Sequence, residues 1–231
     1  NIPCIHTITG IGSGFSNDDY LNSGAYLLDT LEDVYQKSKL IIKVKEPQEN
    51  ELKLINSDHI VFTFFHFAAS EVLTKGIISS GCTAIAYETV QSNDGSLPIL
   101  IPMSEVAGRM SVQNGAKCLE ANMKGKGKLL GGVPGVDSST VTILGGGIVG
   151  TNAAKLAAGL GAKVYILDVN MKRLRYLDKI MPANVQTIHS NHQNISNLLS
   201  YTDLLIGSVL IVGSKAPNLV SKSMLKLMNK G

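Results

Sequence analysis

Apolar residues along this chain follow two alternating rhythms. Short, near-continuous runs occur at residues 40–44 (LIIKV), 60–64 (IVFTF), 83–87 (TAIAY), 141–144 (VTIL), 164–167 (VYIL), 185–189 and 203–208, and they predict strands. Helical patterns stand between them. Thr30 with Asp33 offers an N-cap ahead of the Leu31, Val34, Tyr35 face, and Ser70 before Glu71 opens a helix that Gly81 closes. Asn93-Asp94-Gly95-Ser96 reads as a turn. Ser104 then caps a long helix through about Met123, with Val106, Met110, Ala116 and Leu119 on its apolar positions, and Gly125 and Gly127 loosen the chain after it. Further helices are predicted directly after the glycine turn and around residues 172–181 and 221–228. Strands alternating with helices predict an α/β protein with parallel sheets. The long helix serves as connector, which divides the chain into residues 1–103 and 104–231.

The stretch from Val141 to Asp168 narrows this picture. An apolar strand runs into Gly145-Gly146-Gly147-Ile148-Val149-Gly150, a small-residue helix follows, and a second apolar strand ends on Asp168. This is a G-x-G-x-x-G in its required setting. Gly145 permits the tight turn, Gly147 lets a pyrophosphate approach the backbone, and Gly150 allows close packing of helix on sheet. The free N–H groups at Ile148 and Val149, with the positive end of the helix dipole, suit phosphates. Asp168 is placed to accept hydrogen bonds from ribose hydroxyls. The plainer alternative is a glycine turn that packs and binds nothing. Gly10-Ile11-Gly12-Ser13-Gly14 looks similar, but the polar run Ser16-Asn17-Asp18-Asp19 after it suits a loop leading to a helix N-cap.

Bulk properties add exclusions. A chain of 231 residues, 44% hydrophobic, with net charge +3 from 21 basic and 18 acidic residues, is globular and carries no large field for nucleic acid or membrane. Lys124, Lys126 and Lys128 sit among glycines and read as a solvated loop. Cys4, Cys82 and Cys118 fit neither a disulfide framework nor a metal site, and reduced thiols suggest the cytoplasm. No run approaches the ~18 apolar residues of a membrane span. A G-x-S-x-G elbow, a Walker lysine motif and zinc-ligand spacing are all absent, so hydrolytic and phosphoryl-transfer chemistry lack support.

Parallel sheets place ligands at the carboxyl ends of their strands. Two reactive side chains of the first half fall there. Lys45 follows LIIKV and offers a point charge for a carboxylate or carbonyl. His66 follows IVFTF and can exchange protons near neutral pH. Each has a plainer reading, an exposed lysine before a Pro47-led loop and an imidazole satisfied by backbone. Glu88, ending TAIAYE, either helps line the cleft or is a solvated strand-end charge. His6, His59, His189 and His192 have no comparable placement.

Several motifs together resemble the alanine dehydrogenase family. They are Lys43-Val44-Lys45-Glu46-Pro47, the FxHxAA stretch around His66, AIAYETV from Ala84, PMSEVAGR from Pro102, GGVPGV from Gly131, LGGGIVGTNAAK from Leu144, and the segment from Leu210 to Pro217 with Leu219-Val220. The resemblance runs through essentially the whole chain. It implies two Rossmann-like domains, a substrate domain followed by an NAD-binding one, and the reversible NAD-dependent oxidative deamination of L-alanine to pyruvate and ammonia. It implies that Lys45 and His66 are the substrate-contacting lysine and the catalytic histidine, and that Ser104 lies at the cofactor cleft. Asp168 and Arg173 match positions at the adenosine ribose, Ser190 one near the adenine, and Val209 and Leu210 a segment near the nicotinamide. No metal is implied. A small-molecule substrate, no nucleic acid or membrane partner, and a homo-oligomer, a hexamer in the family, are the expected partners.

The family pattern also has an N-terminal strand and helix with a substrate-binding arginine, a catalytic aspartate, and helices completing the first domain. None of these has a counterpart here, so the resemblance implies an internal piece with both domains incomplete. Val212 and Asn229 stand where the family usually has proline. The nearest rivals are the NAD-binding part of a proton-translocating transhydrogenase, which lacks the histidine of FxHxAA, and an inactive NAD-binding remnant. Asp168 favours NAD, because its charge would repel a 2′-phosphate; Lys172, Arg173 and Arg175 stand near enough in sequence to greet one.

Overall fold

The computed structural model of the chain describes residues 2–7, 9–211 and 216–230. The chain forms two compact units, Asn1–Ile99 and Leu100–Gly231. Every ladder between named strands in either unit is parallel.

In the first unit β1 (Cys4–His6) pairs with β2 (Tyr26–Leu28). A separate three-stranded sheet runs β3 (Leu40–Ile42), β4 (Ile60–Thr63), β5 (Thr83–Ala86), in that spatial order. The helices are α1 (Asn17–Asn22), α2 (Leu31–Lys37), α3 (Glu49–Leu52) and α4 (Glu71–Ser80). Their starts follow from local chemistry. Ser16, Thr30 and Ser70 each accept the amide three residues on, and Asp19 returns the bond to Ser16. The polar run after the first glycine cluster is thus a helix cap. Gly81, at φ 69°, ends α4 in a region that suits glycine. Tyr35 of α2, Leu73 and Ile77 of α4, and Ile41, Ile55, Val61 and Phe65 form the core on one face of the sheet. Leu40, Ile42, Ile60 and Ile85 on the other face are exposed.

The second unit opens with α5 (Ile101–Cys118) and continues β6 (Thr140–Leu144), α6 (Ile148–Gly159), β7 (Lys163–Asp168), α7 (Met171–Ile180), β8 (Val185–His189), α8 (His192–Leu199), β9 (Leu204–Gly207), α9 (Lys222–Leu225). The sheet order is β8-β7-β6-β9. The chain steps outward from β6 through β7 to β8 and returns to β9 on the far side, so a topological switch point lies between β6 and β9. One face is covered by Val112 of α5, Ala153, Ala154 and Ala157 of α6, and Leu177 of α7. The other is covered by Ile195, Leu198 and Leu199 of α8 and Met224 of α9. Helices α5 and α6 meet closely: a Cβ on Gly108 would lie 2.3 Å from the Val149 carbonyl oxygen.

Three expectations need correction. Helix α5 starts at Ile101, with Pro102 in its first turn, so Ser104 is a helical residue whose amide bonds the Leu100 carbonyl, and not the cap. It stops at Cys118, and residues as far as Met123 continue only as a separate 3-10 turn, Ala121–Met123. The last helix spans four residues, Lys222–Leu225, inside the range expected for it. Helix α8, with Ile195, Leu198 and Leu199 at helical spacing, and the short β1–β2 pair are elements the apolar pattern did not disclose. Val212 lies outside the described residues.

Candidate functional site

In the second unit the glycine turn leaves the carboxyl end of β6 at the switch point. Gly145 has φ 108°, and a Cβ there would sit 3.0 Å from Ser208. A Cβ on Gly150 would sit 1.9 Å from the Gly145 carbonyl oxygen. Those two positions exclude side chains for internal reasons. Gly147 differs, because among the described residues a Cβ there would meet nothing within 4 Å. The middle glycine therefore faces open space where a ligand can reach bare backbone. The first amides of α6, at Ile148 and Val149, have no carbonyl one turn earlier to bond.

The Gly146 peptide is gripped from both sides. Its N–H donates to Asp168 Oδ2 at 2.7 Å, and its carbonyl accepts from Arg173 Nε at 2.5 Å. Arg173 also donates to Thr151 Oγ1 at 2.8 Å, and its guanidinium lies over the Tyr176 ring. Asp168 Oδ1 accepts the Asn170 amide at 2.8 Å, and the Asp168 carbonyl accepts the Ser190 amide at 2.9 Å, which sets Ser190 beside it. The Ser208 hydroxyl is within donating distance of the Leu144 and Gly145 carbonyls, at 2.9 and 2.8 Å. Val209 and the exposed Leu210 follow directly. Ser104, half-buried, is one turn before Gly108, the contact point of α5 on α6. The turn thus gathers Gly145, Gly147, Ile148, Val149, Gly150, Asp168 and Arg173, with Ser190 at its margin. Ser208 and Thr151 are supporting residues that sequence reasoning missed; their positions after a strand end and after the motif were the available signals.

In the first unit three neighbouring strands deliver their carboxyl ends together. After β3 comes Lys45, whose carbonyl is within 3.0 Å of the buried Thr63 hydroxyl on β4. Its ammonium is 73% exposed and pairs with Glu46 at 3.0 Å. Burial pushes the Glu46 carboxyl up, but the hydrogen bond from Lys45, its own amide and the fields of Lys45 and His66 outweigh this and hold it below the ordinary range. Among the described residues, buried Glu46 Oε2 has no hydrogen-bond partner. After β4 comes His66, exposed, its ring stacked near Phe64 with centroids 6.0 Å apart. After β5 comes Glu88, which accepts the backbone amides of Phe65 and His66. Glu88 is therefore not a solvated strand-end charge. Behind this rim Lys43 and the Tyr35 hydroxyl both bind buried Glu51, and burial, then Glu51, push the Tyr35 phenol up.

The lysine-rich loop is also not simply solvated. Lys126 and Lys128 pair with buried Asp203 at 2.7 and 2.6 Å, at the start of β9. They line a hollow of about 1030 Å³ at the amino ends of the second sheet, with Lys163, Tyr165 and Tyr201. Among the described residues no group of His, Cys, Asp and Glu side chains could hold a metal ion, and no helix is long and apolar enough to cross a membrane.

Comparison with known proteins extends this geometry. Residues 4–107 match the family profile "Alanine dehydrogenase/PNT, N-terminal domain", and residues 111–231 match "Alanine dehydrogenase/PNT, C-terminal domain". An alanine dehydrogenase of Methanococcus maripaludis is 53% identical over 222 residues, which are 96% of this chain and 60% of the relative. One from Staphylococcus epidermidis is 50% identical over 227 residues, 98% of this chain and 61% of that relative. A solved L-alanine dehydrogenase superposes with a TM-score of 0.88 at 46% identity, covering 99% of this chain and 63% of that one. A transhydrogenase structure from Sinorhizobium meliloti, at TM-score 0.76 and 21% identity, covers 98% of this chain and 66% of that one and shares the fold. The chain spans about 60% of the length of the curated relatives it matches. Matched in both of its units, the chain belongs to the alanine dehydrogenase/PNT family.

Proposed function

We propose that the intact protein is an NAD-dependent alanine dehydrogenase, converting L-alanine and water reversibly to pyruvate and ammonia. The observation that carries this reading is the 53% identity to an alanine dehydrogenase over 96% of the chain. The second unit is the NAD-binding domain and the first the substrate domain. The residues of the glycine turn fit NAD on one structural point, the open space above Gly147, where a pyrophosphate can approach backbone. Asp168 takes one amide on each oxygen, and its remaining lone pairs are available to ribose hydroxyls. Arg173 is engaged by Gly146 and Thr151 and is not offered to a 2′-phosphate, which favours NAD over NADP. Ser104 lies at the cofactor cleft, Val209 and Leu210 lie near the nicotinamide end, and Ser190 near the adenine. NAD bound there would supply the hydride acceptor for the alanine Cα.

The chain's own residues do the rest. Lys45 presents an exposed ammonium that anchors the substrate carboxylate or polarises the pyruvate carbonyl. Glu46 pairs with that ammonium at the strand end. His66 takes and returns protons as water adds and ammonia leaves, work typically worth about 10²–10⁴-fold. The test is NADH absorbance on the complete gene product with L-alanine and with other amino acids. Alanine-dependent NADH formation is expected, with turnover about 10²–10⁴-fold lower in His66→Ala while NAD binding persists. No alanine-dependent signal, or turnover in His66→Ala within twofold of wild type, would overturn the reading.

A further inference from the structure

Glu88 raises a question that packing alone does not answer. It sits on the 3-10 turn Tyr87–Thr89, directly after β5. Its Oε1 accepts the His66 amide at 2.7 Å and the Phe65 amide at 3.1 Å, and Oε2 is 3.3 Å from the Phe65 amide. Strands β4 and β5 end together at the Thr63–Ala86 pair, so beyond it neither offers the other's chain a strand partner for those amides. Phe65 is fully buried, and an amide left unmet there would be destabilising. The carboxylate takes the place of the missing strand, with charge-assisted bonds.

His66 itself has φ 52° and ψ 39°, the left-handed region. Among the described residues Lys124 is the one other non-glycine residue at positive φ. Such a conformation is strained for a residue with a side chain and persists where the surroundings over-determine it. The imidazole projects from that backbone, so the backbone turn sets its direction. The ring's stacking on Phe64 follows from the same turn, and Phe64 in turn meets Tyr87, the residue before Glu88.

We infer that Glu88 is the positioning residue for His66: its carboxylate clamps the Phe65 and His66 amides and so fixes the left-handed turn that aims the imidazole. This rests on the reading of His66 as the proton carrier. Glu88 touches neither substrate nor cofactor in this account. It acts through His66 alone.

A double-mutant cycle on the full-length enzyme tests this, with kcat, KM for alanine, NAD affinity and the unfolding midpoint read for each variant. Glu88→Ala should lower kcat about ten- to a hundredfold, the cost of a misplaced catalytic group, with NAD affinity unchanged. In a His66→Ala background the same change should lower kcat less than twofold. Glu88→Gln, which keeps an acceptor for the amides, should restore most of the lost turnover. Equal losses of kcat from Glu88→Ala in both backgrounds would overturn the proposal, and so would an undiminished kcat in Glu88→Ala. Should Glu88→Ala not fold, Glu88→Asp, one methylene too short to reach both amides, takes its place in the cycle with the same expected and overturning results. If His66→Ala alone leaves kcat intact, the reading of His66 fails first, and the two failures are distinguishable.

Discussion

Strand β6 is TVTIL and strand β3 is the wholly apolar LII, yet it is β3 that meets water. All five residues of β6 are buried, whereas in β3 Ile41 is 6% exposed and its neighbours Leu40 and Ile42 are 51% and 64% exposed. In the second unit α5, α6 and α7 cover one face of the sheet, and α8 and α9 cover the other. In the first unit α2 and α4 cover one face of β3–β4–β5, and the opposite face carries a row of exposed Leu and Ile. Parallel sheets ordinarily have both faces covered. An apolar run therefore specifies a strand without specifying its cover.

Substitutions can break this contrast or sharpen it. The largest effect is expected at Gly150, where a methyl group would collide with the Gly145 carbonyl. Gly150→Ala should cost at least about 3 kcal/mol in the second unit, read by urea unfolding. Next comes a matched pair on one strand. Ile41→Ala should cost about 3 kcal/mol and Ile42→Ala less than about 1 kcal/mol, because the first leaves a cavity in the core and the second removes an exposed side chain. Equal costs would erase the one-faced description of β3.

A smaller effect belongs to Asp203. Burial pushes its carboxyl up, but hydrogen bonds from Lys126, Lys128 and the Thr140 amide outweigh it, and the group sits below the ordinary range. A depressed folded value contributes stability that is present above the unfolded carboxylate value, about 3.9, and is lost as pH falls through the folded value. Asp203→Asn should cost about 2 kcal/mol at pH 7. The variant should also lose less stability than wild type between about pH 5 and the acid limit. Parallel acid profiles for the two proteins would remove Asp203 from this role.

The two candidate sites were unequally legible in the sequence for the same kind of reason. The glycine turn, its helix and Asp168 lie within one short stretch, and each glycine's task is set by neighbours nearby, so pattern and spacing disclosed them. The strands that carry Lys45 and His66 were legible as apolar runs, and the two residues as strand-end chemistry. What escaped was nonlocal. Glu88 reaches His66 across 22 positions, and Lys126 reaches Asp203 across 77. Neither link has a local sign. Arg173 read as a possible partner for a 2′-phosphate until its bonds to Gly146 and Thr151 were seen. Ser104 read as a cap because a serine before a long apolar pattern usually is one, but Pro102 already opens the helix a turn earlier.

The central claim is that backbone exposed at Gly147 receives NAD. The direct measurement is a calorimetric titration of NAD into this chain and into its Gly147→Ala variant, with unfolding midpoints for both. Among the described residues a methyl group at that position meets no atom within 4 Å, so the variant should fold with a stability loss below about 1 kcal/mol. Its NAD affinity should nevertheless fall at least about tenfold, about 1.4 kcal/mol. Equal affinity in the two proteins would contradict the account.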